Sequence, residues 1–131
     1  MEMKDFYKQF CREAFDENGH LTEFEVTAAP DFNFAYDVVD RIAELEPNRR
    51  AMIWTNEAGE EKIFTFRQMS DYSTRAANLF ASYGIGKGDT VMLILKRNYQ
   101  FWFAILGLHK LGAIAIPATN LLTTKDIVYR F

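Results

Sequence analysis

The sequence predicts an α/β fold built on a parallel βαβ unit, which a β-hairpin and helices precede. Two apolar runs without alternation, residues 91–95 and 113–116, are typical of strands buried on both faces of a sheet. Between them, apolar side chains recur at helical spacing, namely Phe101, Ile105 and Leu108. Gly112 then stands where it can end the helix in the left-handed conformation. Strand, helix and strand within about 28 residues form a crossover connection, so the two strands are predicted to be parallel.

Residues 1–32 are predicted to form an N-terminal helix followed by a surface segment. In residues 4–16 the apolar side chains have the spacing of an amphipathic helix: Phe6, Phe10 and Ala14. Asn18 and Gly19 interrupt this pattern. Residues 20–32 show no clear periodicity, so we expect them to run over the surface.

A second domain, residues 33–131, is predicted to open with a helix that Asn33 caps and Pro47 stops. One stripe of this helix is apolar: Phe34, Val38, Ile42 and Leu45. Its acidic side chains are interpreted as a solvated face: Asp37, Asp40, Glu44 and Glu46. We therefore expect an amphipathic helix.

A β-hairpin and a long helix follow. Residues 51–55 and 62–66 have strand composition and flank a turn at residues 56–59. Thr65 and Gln68 have the spacing of a capping box, which opens a helix at this point. The inward side of that helix is predicted to consist of Met69, Tyr72, Ala76, Leu79, Phe80 and Tyr83. Gly84 is placed to end the helix in the left-handed conformation.

The second strand of the βαβ unit ends at Pro117, and residues 118–122 form a loop at its carboxyl end. Open α/β sheets bind their ligands at such loops. Thr123 and Asp126 have capping-box spacing and start a helix that carries Ile127 and Val128. This helix has room for about two turns before residue 131, which predicts that the sequence is a fragment of a longer protein.

Composition argues against several classes of function. The 131 residues, 49% hydrophobic, suffice for one domain with a core. A net charge of −3 and a pI near 5.4 argue against a nucleic-acid partner. The densest basic and aromatic run, residues 96–102, is interpreted as a strand end and a helix start, with a stacking platform for bases as the alternative. A single cysteine, Cys11, leaves no internal disulfide and no CxxC metal site.

The sequence also lacks the signals of export and of membrane insertion. The N-terminus has no apolar signal-peptide region, and no apolar run reaches the length of a membrane span. We therefore expect a cytoplasmic protein with no membrane span.

Three candidate motifs do not have the pattern that their chemistry needs. Residues 84–89, GIGKGD, follow a predicted helix and precede a strand, which is the reverse of a dinucleotide-binding loop. Neither His109 nor His20 has sequence neighbours that would build a nucleophile–base pair or a metal site. No catalytic and no metal-binding residue is therefore predicted in this chain.

Residues 64–119 resemble the opening conserved region of the adenylate-forming enzymes, a superfamily of acyl-CoA synthetases, adenylation domains and luciferases. The matching pattern is an aromatic-Thr-aromatic segment at residues 64–66, a Gly-x-x-x-Gly-Asp turn, and Leu-Gly-Ala at residues 111–113 leading into the strand that ends at Pro117. Residues 32–40, FNFAYDVVD, together with residues 117–119 and 126–130, look like the medium-chain acyl-CoA synthetase branch. The resemblance implies that residues 33–131 are the start of an AMP-binding large domain.

The resemblance further implies a ligase that joins a carboxylic acid to coenzyme A with ATP and Mg²⁺, releasing AMP and pyrophosphate. The phosphate loop, the ribose-binding aspartate and the mobile catalytic lysine of that superfamily match no part of this sequence. We therefore expect the 131 residues alone to be inactive and to retain no cofactor.

The resemblance implies one ligand contact within the chain. The loop after Pro117 lies near coenzyme A in related synthetases, some of which place a glutamine at the position of Leu121. Leu121 cannot reproduce that hydrogen bond, so its contact would be apolar or through the backbone. Thr119 and Asn120 are the polar neighbours, and these three residues are the candidate cofactor-binding set.

A different class of function is the alternative: a non-catalytic, stand-alone interaction module with the same partial fold. A partial parallel sheet leaves apolar faces uncovered, so self-association is expected. A flavodoxin-like or NAD-binding domain would fit the alternation of strands and helices, but the chain lacks the required phosphate loop.

Overall fold

A computed structural model describes residues 3–130, and these divide into two compact units, one that ends at Phe32 and one that begins at Asn33. The N-terminal unit consists of a 3₁₀-helix, Met3–Gln9, and an antiparallel pair, β1 (Cys11–Phe15) and β2 (Leu21–Val26). The predicted helix over residues 4–16 is therefore wrong beyond Gln9, and the predicted surface segment contains a strand.

The physical reason lies in the turn between these strands. The Asp16 carboxylate accepts hydrogen bonds from the backbone N–H groups of Asn18 (2.9 Å) and His20 (2.8 Å). Such aspartate turns reverse the chain and favour a hairpin. Phe10, which the helical pattern had placed beside Phe6, does contact the Phe6 ring but also contacts the ring of Phe32.

The second unit opens with a π-helical segment, Phe34–Asp40, that continues into α1 (Arg41–Leu45). The Asn33 cap is confirmed, because its side chain accepts a hydrogen bond from the Ala35 N–H (3.0 Å). The predicted apolar stripe is wrong in part. The buried side chains are Ala35, Val39, Ile42 and Ala43, whereas Phe34 and Leu45 are exposed. A π-helical turn takes about one residue more than an α-helical turn, so it rotates the buried stripe.

The predicted hairpin is confirmed as the antiparallel pair β3 (Arg50–Thr55) and β4 (Glu61–Thr65). Helix α2 (Phe66–Ser82) follows directly. Its capping box is confirmed: the Gln68 N–H donates to the Thr65 hydroxyl (3.3 Å), and the Thr65 N–H donates to the Gln68 side chain (2.9 Å).

The inward side of α2 differs from the prediction. Met69 is buried as expected, but the other buried residues are Ser73 and Ala77, while Tyr72, Leu79 and Tyr83 are exposed. The reason is a close helix–helix contact. A Cβ atom added to Gly107 of the facing helix would lie 2.8 Å from the Ala76 Cβ and 2.9 Å from the Ala77 backbone nitrogen. Only small side chains fit on the side of α2 that faces Gly107.

The predicted βαβ unit is confirmed. Strand β5 (Thr90–Leu93) pairs in parallel with β6 (Ile114–Pro117), and α3 (Gln100–Leu111) connects them. Gly84 and Gly112 both have positive φ, at 83° and 69°, where they end α2 and α3 as predicted. A last helix, α4, spans Thr124–Arg130.

The expectation that both faces of this parallel pair are buried is wrong for the described residues. On one face Leu93 and Ala113 pack with Ala104 and Leu108 of α3. On the other face Ile114 is 54% exposed and Ile94, just beyond β5, is 40% exposed. The cause is that α3 covers one side of a sheet that has two strands within residues 3–130.

Candidate functional site

The loops that follow β5 and β6 lie at the same edge of the sheet, because the two strands are parallel. The Ala118 N–H donates to the Leu93 carbonyl (2.9 Å), which continues the strand pairing into the second loop. The carboxyl ends of parallel strands are where open α/β sheets bind ligands, so this edge is the candidate ligand site.

The three predicted cofactor-binding residues lie in the loop after β6. The Thr119 hydroxyl accepts a hydrogen bond from the Leu121 N–H (3.2 Å), which closes a tight turn. Leu121 is 81% exposed, and Asn120 is exposed beside it. This turn brings the three residues together on the surface. Their contact with coenzyme A stays a prediction.

Asn120 lines an open cleft of about 930 Å³ that two other segments complete. The turn of the β3–β4 hairpin forms one wall, and the loop after β5 forms another. The lining residues are Trp54, Thr55, Asn56, Glu57, Ala58, Glu60, Lys96, Arg97, Asn98 and Asn120. The β3–β4 hairpin was predicted from the sequence, but its role as one wall of this cleft was not.

The loop after β5 is held in place by the hairpin. The Trp54 indole N–H donates to the Arg97 carbonyl (2.7 Å), and the Trp54 ring makes an edge contact with Tyr99 at 5.2 Å. Lys96 has a φ of 50°, which is uncommon for a residue other than glycine and marks a sharp change of chain direction. The loop is therefore fixed in a conformation that points residues 96–98 at the cleft.

The start of α4 uses its acidic residue for capping. Asp126 accepts hydrogen bonds from the N–H (2.9 Å) and the hydroxyl (2.7 Å) of Thr123, so the predicted cap is confirmed. These hydrogen bonds lower the pKa of Asp126, because they stabilise the carboxylate. Asp126 therefore caps the first turn of α4 through one of its carboxylate oxygens.

Lys110, near the end of α3, has a buried side chain, and sequence reasoning missed its partner. Its side chain is 3% exposed and lies 2.8 Å from an Asp40 carboxylate oxygen. Its Nζ also donates to the Thr74 hydroxyl (2.9 Å) and the Ser70 carbonyl (3.3 Å). The interpretation of Asp40 as part of a solvated face is therefore wrong. The cluster ties the first helical segment, α2 and α3 together.

His109 lies in the last turn of α3. Its Nδ1 atom is buried and has no hydrogen-bond partner in the described part of the chain. Burial lowers the pKa of His109, so its ring is neutral at pH 7 and the favourable charge at this helix end belongs to Lys110. Its backbone carbonyl accepts a hydrogen bond from the Asn33 side chain (2.7 Å), which links α3 to the opening helix.

The described residues do not fit a magnesium site. Within residues 3–130, no three His, Cys, Asp or Glu side chains come together in a way that could hold a metal ion. The acidic residues of the large cleft, Glu57 and Glu60, line it together with Lys96 and Arg97, and Glu60 accepts a hydrogen bond from Asn56 (2.6 Å). No step of a reaction can be assigned to a metal held by these residues.

The parallel βαβ unit, with both following loops at its carboxyl edge, defines an open α/β sheet of the kind that binds ligands at that edge. Comparison with known families specifies the class. A model of the AMP-binding enzyme family matches residues 39–131, which is more than half of the chain. The chain therefore belongs to the AMP-binding enzyme family.

Its relatives include mitochondrial acyl-coenzyme A synthetases. The human enzyme ACSM2A is 37% identical over 105 residues, which are 76% of this chain and 18% of the relative. The human enzyme ACSM1 is 40% identical over 106 residues, with the same coverage of each chain. The chain thus spans about a fifth of the length of these relatives.

Solved structures agree with these relationships. A Brucella canis acyl-CoA synthetase has a TM-score of 0.74 and 31% identity, covering 80% of this chain and 19% of its own. A Mycobacterium tuberculosis fatty acyl CoA synthetase has a TM-score of 0.67 and 26% identity, covering 75% and 19%. The described fold is therefore that of the N-terminal part of an adenylate-forming enzyme.

Proposed function

We propose that this chain is the N-terminal part of an ATP-dependent, AMP-forming acyl-CoA synthetase. The observation that carries the proposal is the family match over residues 39–131, joined to relatives that are acyl-CoA synthetases. The substrate would be a medium-chain, branched or aromatic carboxylic acid, and the whole enzyme would use ATP, coenzyme A and Mg²⁺.

The proposed reaction has two steps. A carboxylate oxygen attacks the α-phosphorus of ATP, and the bond to pyrophosphate breaks, which leaves an acyl-adenylate. The thiol sulfur of coenzyme A then attacks the acyl carbon, and AMP leaves. A carboxylate is a poor electrophile, so the adenylate makes the second step possible. Preorganised donors for the phosphate charge are the main requirement of such chemistry.

The part that this chain would play is structural and positional. It supplies the start of the sheet and, through Thr119, Asn120 and Leu121, a loop next to coenzyme A. The phosphate loop, the ribose-binding aspartate and the mobile lysine that the resemblance implies match no part of the sequence, so we expect no adenylation by this chain alone.

Acid-dependent exchange of labelled pyrophosphate into ATP tests the proposal. The 131-residue chain is compared with the protein encoded by the uninterrupted reading frame around it. We expect exchange, and acyl-CoA formation, from a longer protein and none from the 131 residues. Exchange by the 131 residues, or a longer protein that forms no acyl-adenylate from any carboxylic acid, would contradict the proposal.

A second candidate is a stand-alone module that self-associates. The observation that favours it is the open apolar face of the parallel pair, where Ile94 and Ile114 are exposed. We expect an oligomer whose mass falls on dilution in light scattering, and an Ile114→Thr variant that is monomeric. A monomer at every concentration would contradict self-association. A stop codon directly after residue 131 would favour the module over the enzyme.

A cytoplasmic location is the remaining part of the proposal. No helix in residues 3–130 is long and apolar enough to cross a membrane. The human relatives are named as mitochondrial enzymes, so organelle targeting is the competing outcome. Fractionation of the source cells, with detection of the natural full-length protein, distinguishes the two locations.

A further inference from the structure

A second cleft opens directly beside the one that contains Asn120. It has a volume of about 330 Å³ and is lined by Lys96, Arg97, Asn98, Phe101 and Trp102. The first three of these residues line both clefts. The two clefts therefore form one continuous surface around the loop after β5, at the carboxyl edge of the parallel strands.

The lining of the second cleft is basic and aromatic. It contains two cations and no carboxylate, and within residues 3–130 neither Lys96 nor Arg97 forms an ion pair. Trp102 is 51% exposed, and its ring meets the edge of Phe101 at a centroid distance of 5.3 Å. Unpaired cations attract phosphate groups, and an exposed aromatic ring offers a surface on which a purine can stack.

Hydrogen bonds to the backbone hold the segment that forms this cleft. The Trp54 indole holds the Arg97 carbonyl, the Phe101 N–H donates to the Asn98 carbonyl (3.1 Å), and the Trp102 N–H donates to the Tyr99 carbonyl (3.1 Å). The side chains of Lys96, Arg97 and Trp102 are exposed and free to meet a ligand. A fixed backbone with free cationic side chains lowers the ordering cost of binding.

We propose that Lys96, Arg97 and Trp102 bind the phosphorylated adenosine end of coenzyme A. The inference rests on the proposed function, which places coenzyme A beside Asn120 in the adjoining cleft. Coenzyme A is long and carries its adenine and its phosphates at the end opposite the thiol. The basic and aromatic cleft adjoins the cleft that Asn120 lines, because Lys96, Arg97 and Asn98 belong to both.

Single-stranded nucleic acid is the competing ligand, since it offers the same combination of base and phosphate. The small size of the cleft and the net charge of −3 of the chain favour a single nucleotide over a strand. A strand would need a basic groove that continues beyond Lys96 and Arg97, and the neighbouring cleft contains Glu57 and Glu60 instead.

The test is a titration of the isotope-labelled 131-residue chain with coenzyme A, adenosine 3′,5′-bisphosphate, adenosine and oligothymidylate, followed by NMR. The chain is not expected to retain a cofactor, so high ligand concentrations are used. We expect saturable shifts of the Trp102 indole signal with coenzyme A and the bisphosphate, weaker binding of adenosine, and weaker binding of all anions at high salt.

Variants assign the effect to the cleft. Arg97→Gln is expected to weaken bisphosphate binding about fivefold, the upper scale of an exposed charge pair. Trp102→Leu is expected to weaken it about tenfold, the scale of base stacking on an aromatic ring. Lys125→Gln, an exposed lysine of α4 outside both clefts, is the matched control and should leave binding unchanged.

The outcomes separate this inference from the proposed function. Any one of three results would overturn the inference. These are the absence of a saturable shift at Trp102, an Arg97→Gln variant that binds as well as the parent, and tighter binding of oligothymidylate than of coenzyme A. If the full-length enzyme makes acyl-CoA and its KM for coenzyme A is unchanged by Arg97→Gln, the inference fails and the synthetase proposal stands. If the full-length protein makes no acyl-CoA but the bisphosphate still binds through Arg97, the synthetase proposal fails and the anion site stands.

Discussion

The two faces of the parallel pair β5–β6 differ in what they contribute. On the face that α3 covers, Leu108 is fully buried and packs with Leu93. On the opposite face, Ile114 and Ile94 remain exposed in the described residues. Parallel sheets in complete domains are covered on both faces. The covered face therefore contributes buried apolar area to the fold, whereas the open face contributes much less of it within residues 3–130.

The largest expected effect tests this difference directly. Leu108→Ala removes a fully buried side chain and should lower the free energy of unfolding by about 3 kcal/mol, because it loses transfer free energy and leaves a cavity. Ile114→Ala on the open face should cost under about 1 kcal/mol, since the side chain is already half in water. Urea unfolding measures both at a concentration where the chain is monomeric. Equal losses would contradict the difference, because they would mean that Ile114 is as buried as Leu108 in the monomer.

The helical layer above the covered face depends on the Asp40–Lys110 pair. Asp40→Asn leaves the Lys110 ammonium buried without a counter-charge, so we expect a loss of about 3 kcal/mol in unfolding free energy. Glu44→Gln breaks an exposed pair with Arg41 and is the control, with an expected loss under about 0.5 kcal/mol. Similar losses in the two variants would show that Lys110 reaches water in solution.

The contact between α2 and α3 gives the next effect. Gly107→Ala places a Cβ 2.9 Å from the Ala77 backbone nitrogen, and backbone cannot yield as a side chain can. We expect a loss of about 2 kcal/mol, as for overpacked cores. Gly86→Ala meets nothing within 4 Å and has no positive φ, so it should change stability by under about 0.5 kcal/mol. A tolerated Gly107→Ala would mean that the two helices can separate at little cost.

The sequence correctly predicted those caps, helix ends and strand connections that depend on residues close together in the chain. The Thr65–Gln68 cap, the stops at Gly84 and Gly112, and the parallel crossover were all predicted, because each depends on residues within one or two turns or on one continuous run. The hairpin of residues 11–26 was missed, because three apolar residues at helical spacing outweighed the turn at Asp16.

Contacts between distant residues were beyond the reach of pattern analysis. Asp40 and Lys110 are 70 residues apart, and Trp54 and Arg97 are 43 residues apart. For the candidate site, the general rule for parallel strands located the loop with Thr119, Asn120 and Leu121. It could not show that Trp54 would hold Lys96 and Arg97 beside Asn120, since that depends on how the hairpin packs against the βαβ unit.

The smallest expected effect concerns pH and the end of α3. Burial lowers the pKa of His109 in the folded chain, so the unfolded chain takes up this proton first as the pH falls. The free energy of unfolding should therefore decrease as the pH falls through about 6.5, the ordinary pKa of histidine. The decrease is complete below the pKa that His109 has in the folded chain. His109→Gln should flatten the dependence of unfolding free energy on pH between about 5 and 7, measured by urea unfolding. If the dependence of the unfolding free energy on pH were unchanged in His109→Gln, His109 would be solvated in the folded chain and the end of α3 would be open to water.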